Sequence, residues 1–228
     1  MSHLTLLSQP DDGSELDVVP RREHVVAVLT DAILNHRLLP GQRLVEREII
    51  EQLGVSRATV REAFRQLAAD GLVQMQPQRG ASVMSASVRD AQALYDSRAA
   101  LEVLLVARFV ESADQAAIDR LTVAVFDLGV VADAGGDAAA ILESRTGFYA
   151  ALHDGAGTPV ITQLVDGLQS RVRVLCASSL SELGRPRAAA DELRAVVTAI
   201  RARDADLASR LMVEHIAAAA AATIRTLA

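Results

Sequence analysis

Residues 41–80 read GQRLVEREIIEQLGVSRATVREAFRQLAADGLVQMQPQRG. This spacing predicts two short helices joined by a tight turn and followed by a hairpin. The first helix carries the apolar run Leu44, Val45, Ile49, Ile50 and Leu53. It stops at Gly54, because a helix that ends on a left-handed residue favours glycine. Ser56 is placed as the next N-cap, since its hydroxyl can accept from an amide N–H that the helix leaves unpaired. The second helix repeats apolar residues at Val60, Ala63, Phe64, Leu67 and Ala68. That stripe, three and four residues apart, suits one buried face. It ends at Asp70-Gly71, and Arg57, Arg61 and Arg65 fall four apart on the opposite side.

Two apolar clusters, Leu72–Met75 and Ala81–Met84, flank Gln76-Pro77-Gln78-Arg79-Gly80. They predict a β-hairpin wing with Arg79 near its tip. Helix, short turn and basic second helix is the pattern of a helix-turn-helix, whose second helix enters the DNA major groove N-terminus first. Three arginines four apart are also what a solvated helix face carries. Capping, turn, apolar face and hairpin agree with one another, and that agreement favours the DNA-binding reading.

The run from Leu38 to Val83 resembles the winged helix-turn-helix of GntR-type transcription regulators. The residues that carry the likeness are Pro40-Gly41, Leu44-x-Glu46, Gly54-Val55-Ser56-Arg57, Val60-Arg61-Glu62-Ala63, Leu67, Gly71-Leu72 and Arg79-Gly80. One departure, Ile50 where the family has Ala, changes packing alone. The resemblance implies that Arg57 and Arg61 contact base edges or adjacent phosphates, that Arg47, Ser56 and Thr59 position the backbone, and that Arg79-Gly80 approaches the minor groove.

The chain has 228 residues, half of them apolar, with 3% aromatic residues and no tryptophan. Ala, Leu and Val dominate, which favours helix over sheet. Net charge is −6, unusual for a DNA binder until it is divided by region. Residues 1–20 hold four acids and no base; residues 21–84 hold nine arginines against seven acids, a local +2; residues 85–228 are again acidic. Phosphate contacts need local positive charge, and the only positive segment is the expected DNA-binding one. Every basic residue other than histidine is arginine. The single cysteine, Cys176, excludes an internal disulfide and fits a reducing compartment. No run reaches eighteen uninterrupted apolar residues, so the expectation is a cytoplasmic protein with no membrane partner.

In domain terms, residues 1–20 are expected as a disordered tail, residues 21–84 as the winged domain, residues 85–89 as a linker and residues 90–228 as a helical domain. A first helix near Arg21–Asn35 carries Val25, Val26, Val28, Leu29, Ile33 and Leu34. Beyond the linker, helical patterns cover 90–112, 114–134 (capped by Ser112 or Asp114), 137–154, 158–179, 188–203 and 205–227. Ser181–Arg187 reads as a loop. Thr158-Pro159 is an N-cap with proline at the first helical position. The expected fold is therefore mainly α: an N-terminal winged helix-turn-helix with a small β-hairpin wing, then an all-α bundle of about six helices.

The helical half resembles the ligand-sensing domain of the FadR subgroup of GntR regulators. Tyr95-x-x-Arg98-x-x-x-Glu102, Phe148 with Gly157-Thr158-Pro159, and Ala199-Ile200-x-Ala202-Arg203-Asp204 carry the likeness. Many members hold a divalent metal with one Asp and three His. On this chain those positions fall on Arg145, Tyr149, Leu193 and His215, so three of four ligands are replaced and one is replaced by a cation. The expectation is no metal and no cofactor. His153 and His215 with Glu102 leave a rearranged metal site open as the alternative. The effector-binding residues expected are Arg98, Arg145, Tyr149, His153 and His215, with Arg171 and Arg173 as further candidates. Guanidinium pairs with carboxylate or phosphate through two hydrogen bonds.

The function expected is an effector-responsive, sequence-specific transcription regulator of repressor type that binds a palindromic double-stranded DNA operator as a homodimer. The resemblance implies a small-molecule effector, a fatty-acyl or other lipid-like or organic-acid anion. A metal-dependent small-carboxylate sensor with a rearranged site is the alternative, and an enzyme on the helical half is a more distant one. Against the enzyme, the chain has no nucleophile elbow, phosphate-cradling glycine loop or metal triad.

Overall fold

The computed structural model describes residues 21–35, 37–76, 78, 80–180 and 182–227, apart from the side chains at 138, 169–171, 173, 177 and 178. The expected tail over 1–20 lies outside the described residues. The chain divides into two compact units, one ending at Ser85 and the other starting at Ala86.

The first unit contains α1 (Arg21–Leu34), β1 (Arg43–Leu44), α2 (Glu46–Leu53), α3 (Arg57–Ala69), β2 (Val73–Gln76) and β3 (Gly80–Val83). Helix α1 buries Val25, Leu29, Ala32, Ile33 and Leu34. It packs on α3, whose own buried side is Val60, Ala63, Phe64 and Leu67. Between α2 and α3 the chain turns on Gly54, at φ 63°, whose N–H reaches Ile50 O. A residue with a Cβ is disfavoured in that left-handed conformation. Ser56 then caps α3 by accepting from the Thr59 N–H at 3.1 Å.

Leu44 and Val45, which continue the apolar run expected for the first helix of the pair, lie outside it: α2 starts at Glu46 and Arg43–Leu44 is a strand. It pairs antiparallel with β3, Arg43 opposite Ser82 and Leu44 opposite Ala81, giving the sheet order β1-β3-β2. The extended backbone buries Leu44 and occupies a side of β3 that would otherwise present unpaired amide groups. The hairpin pairs Val73 with Val83 and Gln76 with Gly80, one residue displaced from the expected strands.

The second unit contains α4 (Val88–Ser112), α5 (Gln115–Asp133), α6 (Ala138–Ala156), α7 (Pro159–Leu180), α8 (Arg185–Arg201) and α9 (Ala205–Leu227). These six helices form a bundle with no strand among the described residues. Ser87, Asp114 and Asp137 cap α4, α5 and α6 through side-chain oxygens. Because Ser87 accepts from the Asp90 N–H, α4 takes in Val88 and Arg89 and the expected linker is shorter than 85–89. Helix α8 begins at Arg185 instead of Ala188. Pro186 lies in its first turn, where its missing N–H costs no hydrogen bond.

Helix α4 is the bundle's centre and packs on α9, α7 and α6, while α5 lies on α6 and α8. The α4–α6 approach is close: a Cβ at Gly155 would come within 2.1 Å of the Phe109 ring. Between α8 and α9 the chain turns at Arg203, φ 59° without being glycine. Its guanidinium donates to Val110 O at 2.8 Å and Ala113 O at 2.7 Å, at the C-terminus of α4. Helix α9 is long and apolar enough to cross a membrane by length and hydropathy, but Met212, His215, Ile216 and Ala222 on it are buried within the bundle.

Candidate functional site

In the first unit, the positions expected to meet DNA lie on α2, α3 and the start of β3. Arg47 on α2 is exposed and stands 3.7 Å from Glu51. The Ser56 and Thr59 hydroxyls are 2.9 Å apart at the N-terminus of α3, where unpaired amides favour an anion. Arg57 and Arg61 are both exposed, and both meet Glu46 of α2. Arg57 Nε lies 3.0 Å from one carboxylate oxygen and Arg61 Nε 2.8 Å from the other. Arg65 is exposed one turn further on. Gly80 opens β3 at φ 84°, and Arg79 lies outside the described residues. The periodicity of α2 and α3 contains nothing that shows Glu46 as the shared partner of two arginines; only the α2–α3 packing brings it there. Beside the wing, Arg43, Ser82 and Gln74 stand in one cross-strand row and line a groove.

In the second unit, the five residues expected to bind an effector form one buried cluster. Arg98 is completely buried. Its Nε donates to Glu102 Oε1 at 2.5 Å and its Nη2 to Glu102 Oε2 at 3.3 Å. The same Nη2 donates to the Tyr149 hydroxyl oxygen. Burial works against the charge on Arg98, but the Glu102 carboxylate beside it holds the guanidinium's proton affinity above the ordinary value. Arg145 lies over the face of Tyr149, 4.5 Å from the ring centroid, a cation–π contact strengthened by exclusion of water. Burial pushes the Tyr149 hydroxyl up to about 12, with Arg98 opposing and Glu102 adding to the shift.

Both histidines are neutral near pH 7. Burial lowers His215 to about 4, the hydrogen bond to Glu192 opposing and the charges of Arg98 and Arg145 adding to the fall. His153 is lowered by burial as well, against the attraction of Asp166 and Glu102. His215 Nδ1 lies 2.7 Å from Glu192 Oε2, and His153 Nδ1 lies 3.5 Å from Asp166 Oδ1. Arg185 clamps both oxygens of Glu192, donating to Oε1 at 2.6 Å and, beside His215, to Oε2 at 2.7 Å. Burial of Glu192 favours its protonated form, but the bonds from His215 and Arg185 outweigh that and hold the carboxyl below its ordinary value. Four buried nitrogens in the cluster have no hydrogen-bond partner: Arg98 Nη1, Arg185 Nε, His153 Nε2 and His215 Nε2.

Arg185 and Glu192 escaped the sequence reading. The available signal was a pair of charges seven residues apart on the apolar stripe of α8, among Ala189, Leu193 and Val196. Arg171 and Arg173 have side chains outside the described ones.

The donor set does not suit a divalent metal. Where the resembling domains place a carboxylate, Arg145 presents a guanidinium, and Leu193 is buried apolar core. Glu102 is already held by Arg98 through both oxygens. No group of three or more His, Cys, Asp or Glu among the described residues could hold a metal ion. The charges of the cluster are instead three guanidiniums (Arg98, Arg145, Arg185) against the carboxylates of Glu102 and Glu192, with Asp166 at its edge beside His153.

The FCD domain matches residues 93–218, and the family of bacterial regulatory proteins named gntR matches residues 21–83. The HTH-type transcriptional repressor RspR of Escherichia coli K12 is 24% identical over 86% of each chain. The HTH-type regulator YdhC of Bacillus subtilis is 36% identical over 38% of this chain and 39% of its own length. Among solved structures, a GntR transcriptional regulator from Rhodococcus sp. RHA1 superposes with a TM-score of 0.70 at 24% identity, over 91% of this chain and 99% of that one. With an FCD domain over more than half its length, preceded by a winged helix-turn-helix of matching type, the chain belongs to the GntR family of DNA-binding transcription regulators.

Proposed function

We propose that this DNA-binding regulator is a repressor that holds a palindromic operator as a homodimer and changes its hold when an organic-acid anion enters the helical bundle. On DNA, Arg57 and Arg61 exchange Glu46 for base edges or phosphates, since arginine against guanine is the commonest specific contact. Arg47, Ser56 and Thr59 position the backbone, and Arg79-Gly80 follows the minor groove. Dimer symmetry matches an inverted repeat with half-sites about one helical turn apart. Such a regulator meets its operator in the cytoplasm and is not an enzyme.

The observation that carries the effector reading is the buried Arg98, tied to Glu102 and Tyr149 and still holding one unpartnered N–H-bearing nitrogen. A buried donor without a partner costs about 1–3 kcal/mol, which a ligand carboxylate accepting from it removes. The charged and aromatic groups packed around Arg98 favour a compact organic acid over a long acyl chain. The effector must bind one arrangement of the protein better than another in order to alter DNA affinity.

The test selects DNA from a random library with the full-length protein and analyses the complex by native mass spectrometry. The reading requires an inverted repeat bound by two chains. Arg61→Ala should cost about 1–3 kcal/mol on the selected site and relax specificity at one position. Organic anions carried through purification identify the effector class. Arg145→Ala should remove their retention while sparing DNA binding. A single half-site bound by one chain would end the homodimer reading.

A further inference from the structure

Helix α5 packs on α6 and α8 and buries Ile118, Leu121, Val125 and Leu128. Its outer side carries large apolar side chains as well. Val123 is 59% exposed, Phe126 64% and Val130 50%. Spacings of three and four residues set these three in one stripe along the helix. The chain has four phenylalanines, and Phe64, Phe109 and Phe148 are buried. Phe126 stands in solvent instead, flanked by two exposed valines. A single exposed apolar residue is ordinary, but a contiguous row of them marks a surface that something covers.

The charges beside the stripe identify what covers it. Arg120 and Asp127 are both exposed, and neither has an ion-pair partner among the described residues. Seven residues are about two turns, so the two side chains lie on the same edge of the stripe. They stand about 10 Å apart along the helix axis, too far to pair with each other. Their midpoint falls beside Val123. A second α5 laid antiparallel on the first, with the two-fold axis at Val123, keeps the same edges side by side. Each Arg120 then comes level with the partner's Asp127. The same operation sets Val123 against its own copy and Val130 level with the partner's Ala116.

We propose that this face of α5 is where the helical bundles of two copies of the chain meet, antiparallel about a two-fold axis at Val123. This rests on the homodimer reading and goes further by assigning that homodimer a surface and a register. A two-fold contact is self-complementary, so every residue pair occurs twice. The apolar stripe forms its centre and the Arg120–Asp127 pairs form its rim, the usual division of a protein interface. Rim pairs add little affinity and fix the register. A partner carrying charge of one sign satisfies one of Arg120 and Asp127 and repels the other. An apolar partner leaves both unpaired, whereas an antiparallel copy satisfies both.

The experiment measures the dimer dissociation constant of the full-length protein by sedimentation equilibrium, for wild type, Arg120→Asp, Asp127→Arg and the variant with both changes. Each single reversal should weaken the dimer about tenfold or more, because symmetry sets two like-charge pairs face to face. The double variant restores opposite charges across the axis and should return to within about threefold of wild type. Phe126→Asp should weaken the dimer in the same direction and find no rescue. Dissociation constants unchanged in all four variants keep the homodimer reading and overturn this surface. Weakening by the single reversals that the double variant does not repair also overturns it, since the two side chains then do not face each other. A wild type that stays a single chain at every concentration removes both readings and leaves the stripe to a different occupant.

Discussion

Arg61 on the recognition helix donates from Nε to Glu46 on the preceding helix at 2.8 Å, and the second oxygen of the same carboxylate lies 3.0 Å from Arg57 Nε. In the proposed DNA complex, Glu46 is the partner that Arg57 and Arg61 exchange for DNA. The pairs are solvent-exposed and contribute less than about 1 kcal/mol each to stability. On the proposed DNA-binding role of Arg57 and Arg61, the pairs act mainly on DNA affinity, because a carboxylate repels phosphate and holds both arginines in one orientation. Glu46→Gln should leave the melting temperature nearly unchanged and raise affinity for random-sequence duplex several-fold at low salt. Fluorescence anisotropy at two salt concentrations checks this, and unchanged non-specific affinity would show that Glu46 does not restrain the arginines.

Two glycines on α6 should respond oppositely to the same substitution. Gly155→Ala places a methyl into the buried Phe109 ring, and overpacking of this kind costs about 1–3 kcal/mol. Gly147→Ala meets nothing within 4 Å, and it gains up to about 1 kcal/mol from lower backbone entropy in the unfolded chain. Urea unfolding of the two variants should move the midpoint in opposite directions. A stabilised Gly155→Ala would contradict the close α4–α6 approach.

The Arg203 turn separates two contributions. Arg203→Ala loses two charge-assisted hydrogen bonds to carbonyls at the end of α4 and keeps an unfavourable left-handed backbone. Arg203→Gly loses the same bonds but removes the backbone strain, about 1 kcal/mol. Thermal unfolding should therefore rank wild type above Gly and Gly above Ala. Equal loss in the two variants would mean that the left-handed conformation costs nothing there.

Acid should weaken the bundle through His215. In the unfolded chain this imidazole takes up a proton near 6.5, and in the folded one at about 4. Between those values the unfolded state binds more protons, so stability rises with pH and falls as the solution is acidified from about 6.5 to 4. The loss is on the order of 3 kcal/mol. The lowered Glu192 carboxyl adds loss in the same direction at the acid end. His215→Gln should flatten this limb of the stability–pH curve. An unchanged slope would mean that His215 is not buried in its neutral form.

The winged domain was legible because its signals are local. Gly54 and Ser56 mark the turn by backbone angle and capping, and both work in the structure as the sequence reading assigned them. Strand β1 was not legible: two residues are too short to show alternation, and Leu44-Val45 continues the apolar run of α2. In the bundle, Arg98, Arg145, Tyr149, His153 and His215 were picked out individually, and the structure brings them together. Their tethers were not foreseen. Glu192 and Arg185 come from α8, and no spacing along one helix reveals which carboxylate another helix will present to a histidine.

Strand β3 is gripped on one side by β1, which leads into α2, and on the other by β2, which follows α3. The recognition helices are thus an insertion between the two outer strands of one sheet, clamped at both ends. Such a segment cannot open from one end alone, and slow hydrogen exchange in α2, α3 and β3 should be lost as a single step. The α2–α3 segment is therefore expected to move, when it moves, as one piece with its sheet.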